Sequence, residues 1–237
     1  MMNEEYNRTS KMADCRMGNV GPYFRRTFLR LIQRRCWALL LGLCLGGAAV
    51  SHVPVPPCRA VIIAIDPGHG GRDPGAVGYG VKEKDVTLAI GKELAVLIDH
   101  HKGMRAVLTR RGDYYVGLAQ RDSIARRAGA GLFISIHCDS GKPRWDWATV
   151  YTQKRGSIAK ASDRLGDYIT AGLRHIEHAD RDRTADFVVL RDSRVPAVLV
   201  EVGYITNPHQ AHQLATVGFQ HRLARAIFRG IQHYLSR

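Results

Sequence analysis

The 237-residue sequence predicts one α/β domain, with a mainly parallel, twisted sheet flanked by helices. Three apolar runs rich in β-branched residues predict its strands: VIIAI at 61–65, LFISI at 132–136 and AVLV at 197–200. They are short and nearly uninterrupted, as expected for strands covered on both faces of a parallel sheet. Helical patterns lie between them, and strands that alternate with helices are typical of a single α/β layered domain.

The other elements follow from their residue patterns. Apolar residues at helical spacing predict four helices, over residues 84–101, 118–128, 158–176 and 219–235. Weaker β-type patterns predict three more strands, at residues 105–109, 148–151 and 187–190. Asn207 followed by Pro208 predicts a helix start, because Asn caps a helix well and Pro suits its first turn.

Composition excludes several classes of protein. The chain is 45% hydrophobic and 24% charged, which excludes collagen-like, coiled-coil and low-complexity proteins. Its formal charge of +14 suits an anionic partner, which could be nucleic acid, a membrane surface or an acidic wall polymer. No block of Lys and Arg interleaved with aromatic residues is present in the sequence, so we expect no binding to nucleic acid.

Residues 1–60 differ from the rest of the sequence. They contain nine Lys/Arg against three Asp/Glu, and four of the five cysteines. Only Cys138 remains in the second region, which excludes a disulfide framework there. Residues 37–50 form an uncharged apolar run of 14 residues behind a cluster of arginines, shorter than the ~20 residues that span a bilayer.

We therefore predict that residues 1–60 are an export signal with a polar extension, and that residues 61–237 are the catalytic domain. An uncleaved membrane anchor is the alternative for the first region. The stretch YFRRTFLR at 23–30 is similar to a twin-arginine signal, but Arg34 and Arg35 separate it from the apolar run and leave the export route open.

The chemistry lies where the three strong apolar runs end. His69 follows the first run and has glycine on both sides, His137 follows the second, and Glu201 follows the third. The carboxyl ends of parallel strands open into one crevice, so two imidazoles and a carboxylate there predict a metal site. Each histidine alone is also compatible with a structural role. Glu201 is the stronger signal, because a carboxylate beside an apolar strand must be paired, metal-bound or protonated.

Four ordered motifs extend this prediction: DPGHGG at 66–71, GVKEKDVTL at 80–88, LFISIHCDS at 132–140 and PAVLVEVGYITNP at 196–208. Together they resemble the motifs of zinc-dependent N-acetylmuramoyl-L-alanine amidases, the peptidoglycan hydrolases of the Amidase_3 family. The resemblance implies that His69, Glu83 and His137 are zinc ligands and that Glu201 is the catalytic carboxylate. Periodicity alone leaves Glu93 as an equal candidate on the same helix, and the match around residue 83 selects Glu83.

The resemblance also implies a reaction. The enzyme would use one zinc ion to hydrolyse the amide between the lactyl group of N-acetylmuramic acid and L-alanine in peptidoglycan. We expect an exported monomer of the periplasm or cell envelope, which touches the membrane only through its N-terminal segment. Activator-controlled relatives carry a longer insertion, with a helix that blocks the site. Only 49 residues separate His137 from Phe187, so we expect activity without an activator protein.

Two alternatives remain at this point: another zinc hydrolase of peptidoglycan, either a carboxypeptidase or a deacetylase, and a wall-binding module without activity. A phosphate loop in GHGGRDPG is disfavoured because no Lys-Ser/Thr pair follows it.

Residues near the motifs are given structural roles. Arg121 is predicted to form a structural ion pair, Asp66 and Asp73 to form turns, and Cys138 to fill the core. Trp145 and Trp147 are predicted either to line a substrate groove or to pack down as a lid.

Overall fold

A computed structural model of the protein describes residues 60–237, apart from residues 154, 155, 177 and 192. The predictions for the export segment therefore lie outside the described residues. Within the described part of the chain, no helix is both long enough and apolar enough to cross a membrane.

A six-stranded sheet forms the centre of the fold. In chain order its strands are β1 (Val61–Pro67), β4 (Met104–Leu108), β5 (Leu132–Asp139), β6 (Ala148–Gln153), β7 (Ala179–Ala185) and β8 (Ala197–Tyr204). A separate hairpin consists of β2 (Val77–Gly78) and β3 (Val81–Lys82). The order across the sheet is β4-β1-β5-β8-β6-β7, and all neighbours are parallel except β6 and β8. The predicted α/β domain with a mainly parallel sheet is confirmed.

The helices are α1 (Glu83–Asp99), α2 (Leu118–Arg127), α3 (Ala159–Leu173), α4 (Val188–Arg191), α5 (Pro208–Leu214) and α6 (Val217–Leu235). The four predicted helices correspond to α1, α2, α3 and α6. The Asn207 side chain accepts a hydrogen bond from the Gln210 N–H, which confirms its predicted role as the cap of α5. The long helix α6 turns one apolar stripe to the core, including Leu223, Ile227 and Ile231.

One predicted strand is wrong, and the prediction missed both short strands of the hairpin and one strand of the central sheet. Residues 187–190 were expected to be a strand, but Val188–Arg191 form helix α4, with Val189 and Leu190 buried. A four-residue apolar run fits a buried helical turn as well as a strand, so periodicity could not decide. Strand β7 escaped prediction because its sequence, ADRDRTA, has no apolar run. It lies at the edge of the sheet, where β6 is its one neighbour among the described strands.

Strands β5 and β8 run beyond their predicted ends. His137 and Glu201 therefore lie within strands, where they are paired with each other in the β5–β8 register. Side chains at paired positions of neighbouring strands stand on the same face of a sheet. The register thus places the imidazole of His137 beside the carboxylate of Glu201 at the carboxyl end of the sheet.

Candidate metal centre

Three predicted ligands meet at this edge of the sheet. The donor atoms of His69, Glu83 and His137 all lie within 4.8 Å of one another. Glu83 Oε1 lies 3.1 Å from His69 Nε2 and 2.8 Å from His137 Nδ1. The two imidazole rings meet edge to face, with centroids 4.9 Å apart. Glu93, the alternative on helix α1, instead lies 3.5 Å from His221.

The backbone near His69 and Gly75 turns tightly and passes close to this cluster. His69 itself has a positive φ of 60°, a conformation that few residues other than glycine adopt. A Cβ atom at Gly68 would lie 2.3 Å from His137 Cε1, and one at Gly75 would lie 2.5 Å from Glu83 Oε2. Only glycine fits at these two positions while the ligand side chains keep their places.

Glu83 begins helix α1, and its side chain is buried. Its Oε2 accepts the Ala76 N–H at 2.8 Å, and its Oε1 accepts the Cys138 N–H at 3.0 Å. Burial raises the pKa of this carboxyl, but hydrogen bonds with His137 and His69 outweigh that effect and hold the pKa well below its ordinary value. Glu83 is therefore ionised, as a metal ligand must be.

His69 is oriented by Asp73. Its Nδ1 lies 2.8 Å from Asp73 Oδ2, while the other oxygen of Asp73 accepts the Gly75 N–H at 3.1 Å. Asp73 thus forms the predicted turn and also holds the imidazole, which sequence reasoning missed. Burial lowers the pKa of His69, but the partners Glu83 and Asp73 raise it more, so the net direction is upward.

The residues present fit zinc. Two His and one Glu form a known donor set for a catalytic zinc that keeps one position open. Two ligands in a tetrahedral site with bonds of ~2.1 Å lie about 3.4 Å apart, close to the separations of Glu83 Oε1 from the two imidazole nitrogens, 3.1 and 2.8 Å. A histidine that ligates a metal usually bonds a carboxylate or carbonyl through its other nitrogen, and Asp73 occupies that place at His69.

Glu201 stands beside this cluster without joining it. Its Oε2 is buried and has no hydrogen-bond partner among the described residues. Burial raises the pKa of Glu201 well above its ordinary value, and the negative charges of Glu83 and Asp139 raise it further. A carboxyl group with a raised pKa and one buried oxygen that is not used in the described structure is suited to general acid–base chemistry.

A buried ion pair supports the loop that carries His69. Arg121 Nη1 lies 2.7 Å from Asp66 Oδ1, which confirms the structural pairing predicted for Arg121. The same guanidinium donates to the carbonyl oxygens of Pro67, His69 and Val116. The prediction that Asp66 forms a turn is wrong: its carboxylate is fully buried in strand β1 and also accepts from Thr109 and Ser135.

A second arginine, Arg110, holds the same loop and was not singled out from the sequence. It is fully buried and donates to the carbonyl oxygens of Pro67, Gly68 and Lys84, at 2.9, 2.7 and 2.8 Å. Burial and the positive charge of Arg121 lower the pKa of Arg110. Nothing in the local sequence separates it from the neighbouring Arg111, because its partners lie up to 43 residues away.

The loop after β5 carries the two tryptophans. Trp145 and Trp147 pack on each other and on the buried Tyr204 at the end of β8, with ring centroids 5.1–5.6 Å apart. The loop is fastened to the chain after β8, since Asn207 donates to the Pro143 carbonyl oxygen. Both rings remain partly exposed. Cys138 is buried, in agreement with its predicted packing role, and does not belong to the metal cluster.

Comparison with known proteins gives consistent results. A family model described as N-acetylmuramoyl-L-alanine amidase matches residues 63–233. The N-acetylmuramoyl-L-alanine amidase AmiA of Escherichia coli is 34% identical over 219 residues, which covers 73% of this chain and 75% of that protein. The sporulation-specific N-acetylmuramoyl-L-alanine amidase of Bacillus subtilis is 37% identical over 174 residues, covering 73% of this chain and 67% of that protein.

Solved structures show the same likeness. The N-acetylmuramoyl-L-alanine amidase AmiC2 of Nostoc punctiforme is 40% identical and superposes with a TM-score of 0.67, covering 75% of this chain and 98% of that one. The match to the family model, over residues 63–233, includes all four predicted site residues.

Proposed function

The chain belongs to the N-acetylmuramoyl-L-alanine amidase family, and from that membership we propose a zinc-dependent hydrolase of peptidoglycan. It cleaves the amide between the lactyl group of N-acetylmuramic acid and the L-alanine of the stem peptide. The observation that carries the proposal is the meeting of His69, Glu83 and His137 beside Glu201, whose buried Oε2 has no partner among the described residues.

His69, Glu83 and His137 hold the metal. When bound, zinc would act as a Lewis acid on the scissile carbonyl and acidify water to a pKa of about 7. Asp73 fixes the imidazole of His69 in the orientation needed for binding through Nε2. The backbone N–H groups of Ala76 and Cys138 fix the carboxylate of Glu83, so the ligand set is pre-formed.

Glu201 moves the proton. Its carboxylate takes a proton from the attacking water and returns it to the nitrogen of L-alanine, so that the amine leaves in neutral form. Burial favours the protonated carboxyl, which helps Glu201 to take up the proton. Because the carboxylate belongs to strand β8 and is paired in register with His137, a rigid element positions it relative to the metal ligands.

Export, location and regulation are part of the same proposal. Residues 1–60 direct the enzyme to the periplasm or cell envelope, where the positive charge of the domain suits an anionic wall polymer. The enzyme acts as a monomer without an activator protein. In support, the described residues between His137 and Phe187 form the rest of β5, then β6, α3 and β7, and α3 is their only helix. It packs on the sheet through a buried face that includes Leu165 and Ile169.

Digestion of purified sacculi by the full-length protein tests the reaction. Mass spectrometry of the soluble products should show free stem peptides that begin with L-alanine. Treatment with a chelator should stop their release, and added Zn²⁺ should restore it. Loss of terminal D-alanine alone would show a carboxypeptidase, and release of acetate would show a deacetylase. Binding to sacculi without any product would show an inactive wall-binding module.

The same digestion tests regulation. The purified enzyme should digest sacculi without other proteins, at a rate that a cell-envelope extract does not raise. Strict dependence on the extract, with full metal occupancy, would contradict the proposed independence from an activator.

A further inference from the structure

The hairpin next to Glu83 has an unusual turn. Val77 pairs with Lys82 and Gly78 with Val81, so residues Tyr79 and Gly80 form a two-residue loop. Both have positive φ, 51° and 79°, which is the mark of a type I′ turn. The first position of that turn strongly prefers Asn, because a bulky side chain is strained at positive φ. Here a tyrosine occupies it.

Packing does not explain this tyrosine. Tyr79 is 63% exposed, and within the described part of the chain no ring stacking and no side-chain hydrogen bond holds it. A strained residue that the fold does not need suggests a role in function. Val77, in the first strand of the same hairpin, is also exposed.

The hairpin is fixed to the metal centre at its base. Ala76 precedes β2 and Glu83 follows β3, and they are joined by two hydrogen bonds: the Glu83 N–H to the Ala76 carbonyl oxygen, and the Ala76 N–H to Glu83 Oε2. Tyr79 lies four residues from Glu83, so its backbone is within ~13 Å of that ligand even if the strand is fully extended. The tyrosine therefore lies near the metal ligands.

The hairpin also rests on the end of β8. A Cβ atom at Gly78 would lie 2.2 Å from the carbonyl oxygen of Ile205, so the two backbones are in close contact. The tryptophan loop is fastened to the next residue, because the Gly141 N–H donates to Thr206 Oγ1. One short segment, residues 205–206, thus carries both the hairpin and the loop of Trp145 and Trp147. The hairpin that carries Tyr79 and the loop that carries the two tryptophans therefore contact neighbouring residues directly after β8.

We propose that Tyr79 contacts substrate and that its ring packs against a sugar of the glycan strand beside the scissile amide. This inference rests on the proposed function, which places a glycan at the metal centre. A pyranose presents a flat face of C–H groups, and an exposed aromatic ring buries such a face well. An uncharged ring is less suited to the stem peptide, whose carboxylates call for cationic partners. Tyr79 is thus a residue that selects for the glycan.

Replacing Tyr79 with asparagine gives a sharp test, since Tyr79→Asn removes the ring and installs the residue that the turn prefers. The variant should therefore fold with an equal or higher Tm. In full-length protein, its Kd for peptide-free glycan strands should rise by about 3- to 10-fold, the range expected for loss of one aromatic contact. The conservative variant Tyr79→Phe keeps the ring and should retain the wild-type Kd.

Val96→Asn is a matched control, because Val96 is also exposed but lies about 20 Å from Glu83 along helix α1. Its Kd for glycan strands should equal that of the wild type. An unchanged Kd in Tyr79→Asn would overturn the inference, as would weaker binding of free stem peptide with unchanged binding of glycan. This measurement needs no turnover, so it judges Tyr79 even if the digestion of sacculi refutes the proposed reaction.

Discussion

Two carboxylates near the carboxyl edge of the sheet, Asp66 on β1 and Glu201 on β8, have opposite surroundings. Asp66 is fully buried, but each of its oxygens is satisfied, by Arg121 and Thr109 on one side and by Ser135 on the other. Glu201 Oε2 is also buried and has no partner among the described residues. Since buried polar groups are normally bonded, the difference separates a carboxyl group that stabilises the fold from one that is available for chemistry.

The largest effect is expected from Glu201→Gln. Loss of the proton carrier should reduce turnover of sacculi by about 10²- to 10⁴-fold, because glutamine has the same shape but no exchangeable carboxyl. Zinc content, measured by elemental analysis, should remain at the wild-type level, since Glu201 lies outside the ligand set. A turnover rate near that of the wild type would refute the role of Glu201.

Stability provides a second readout for the same variant. The pKa of Glu201 in the folded state is raised above its ordinary value of 4.5. Between pH 4.5 and this raised pKa, the folded state therefore binds more protons than the unfolded state. Wild-type stability therefore falls as pH rises through that window. In metal-free protein, Tm should be equal for wild type and Glu201→Gln below that ordinary value. At higher pH the variant should be the more stable.

Arg121→Met tests the other half of the comparison. It leaves the buried Asp66 without its counter-charge, and we expect the free energy of unfolding to fall by about 3–5 kcal/mol in urea titrations. Arg126→Met is the matched control on the same helix, because the ion pair of Arg126 with Asp122 is exposed. Its cost should not exceed about 1 kcal/mol. If both variants lost the same free energy of unfolding, burial would not distinguish the Arg121–Asp66 pair from the Arg126–Asp122 pair.

The contrast between Glu201 and Asp66 also shows which roles could be predicted from the sequence. His69, His137 and Glu201 were found because parallel strands bring their carboxyl ends together, so residues far apart in sequence share one edge. Glu83 needed the family resemblance, since periodicity treated Glu93 equally. The role of Asp66 was misjudged because a carboxylate beside Pro and Gly resembles a turn, and its partner Arg121 lies 55 residues away.

Asp73 is intermediate between the two carboxylates. It is partly exposed and uses one oxygen for a turn and the other for His69. Asp73→Asn can keep the acceptor for Gly75 but loses the charge on His69, so zinc affinity in chelator competition should fall by about 10- to 100-fold. Asp113→Asn is the control, because Asp113 also accepts from this loop, at Gly71, without touching a histidine. Equal zinc affinities for the two variants would contradict a role for Asp73 in orienting His69.

A neutral side chain directly after strand β8 should have the smallest effect. Asn207 caps helix α5 through Oδ1 and donates through Nδ2 to the Pro143 carbonyl oxygen, which steadies the tryptophan loop. Asn207→Ala removes both bonds, and we expect a loss of about 1–2 kcal/mol in urea unfolding. Asn207→Asp keeps the cap but loses the donor, so it should recover most of that stability. If the aspartate variant is no more stable than the alanine variant, the hydrogen bond to the tryptophan loop contributes more to the free energy of unfolding than the helix cap does. Attachment of the tryptophan loop would then stabilise the chain after β8 more than capping of α5.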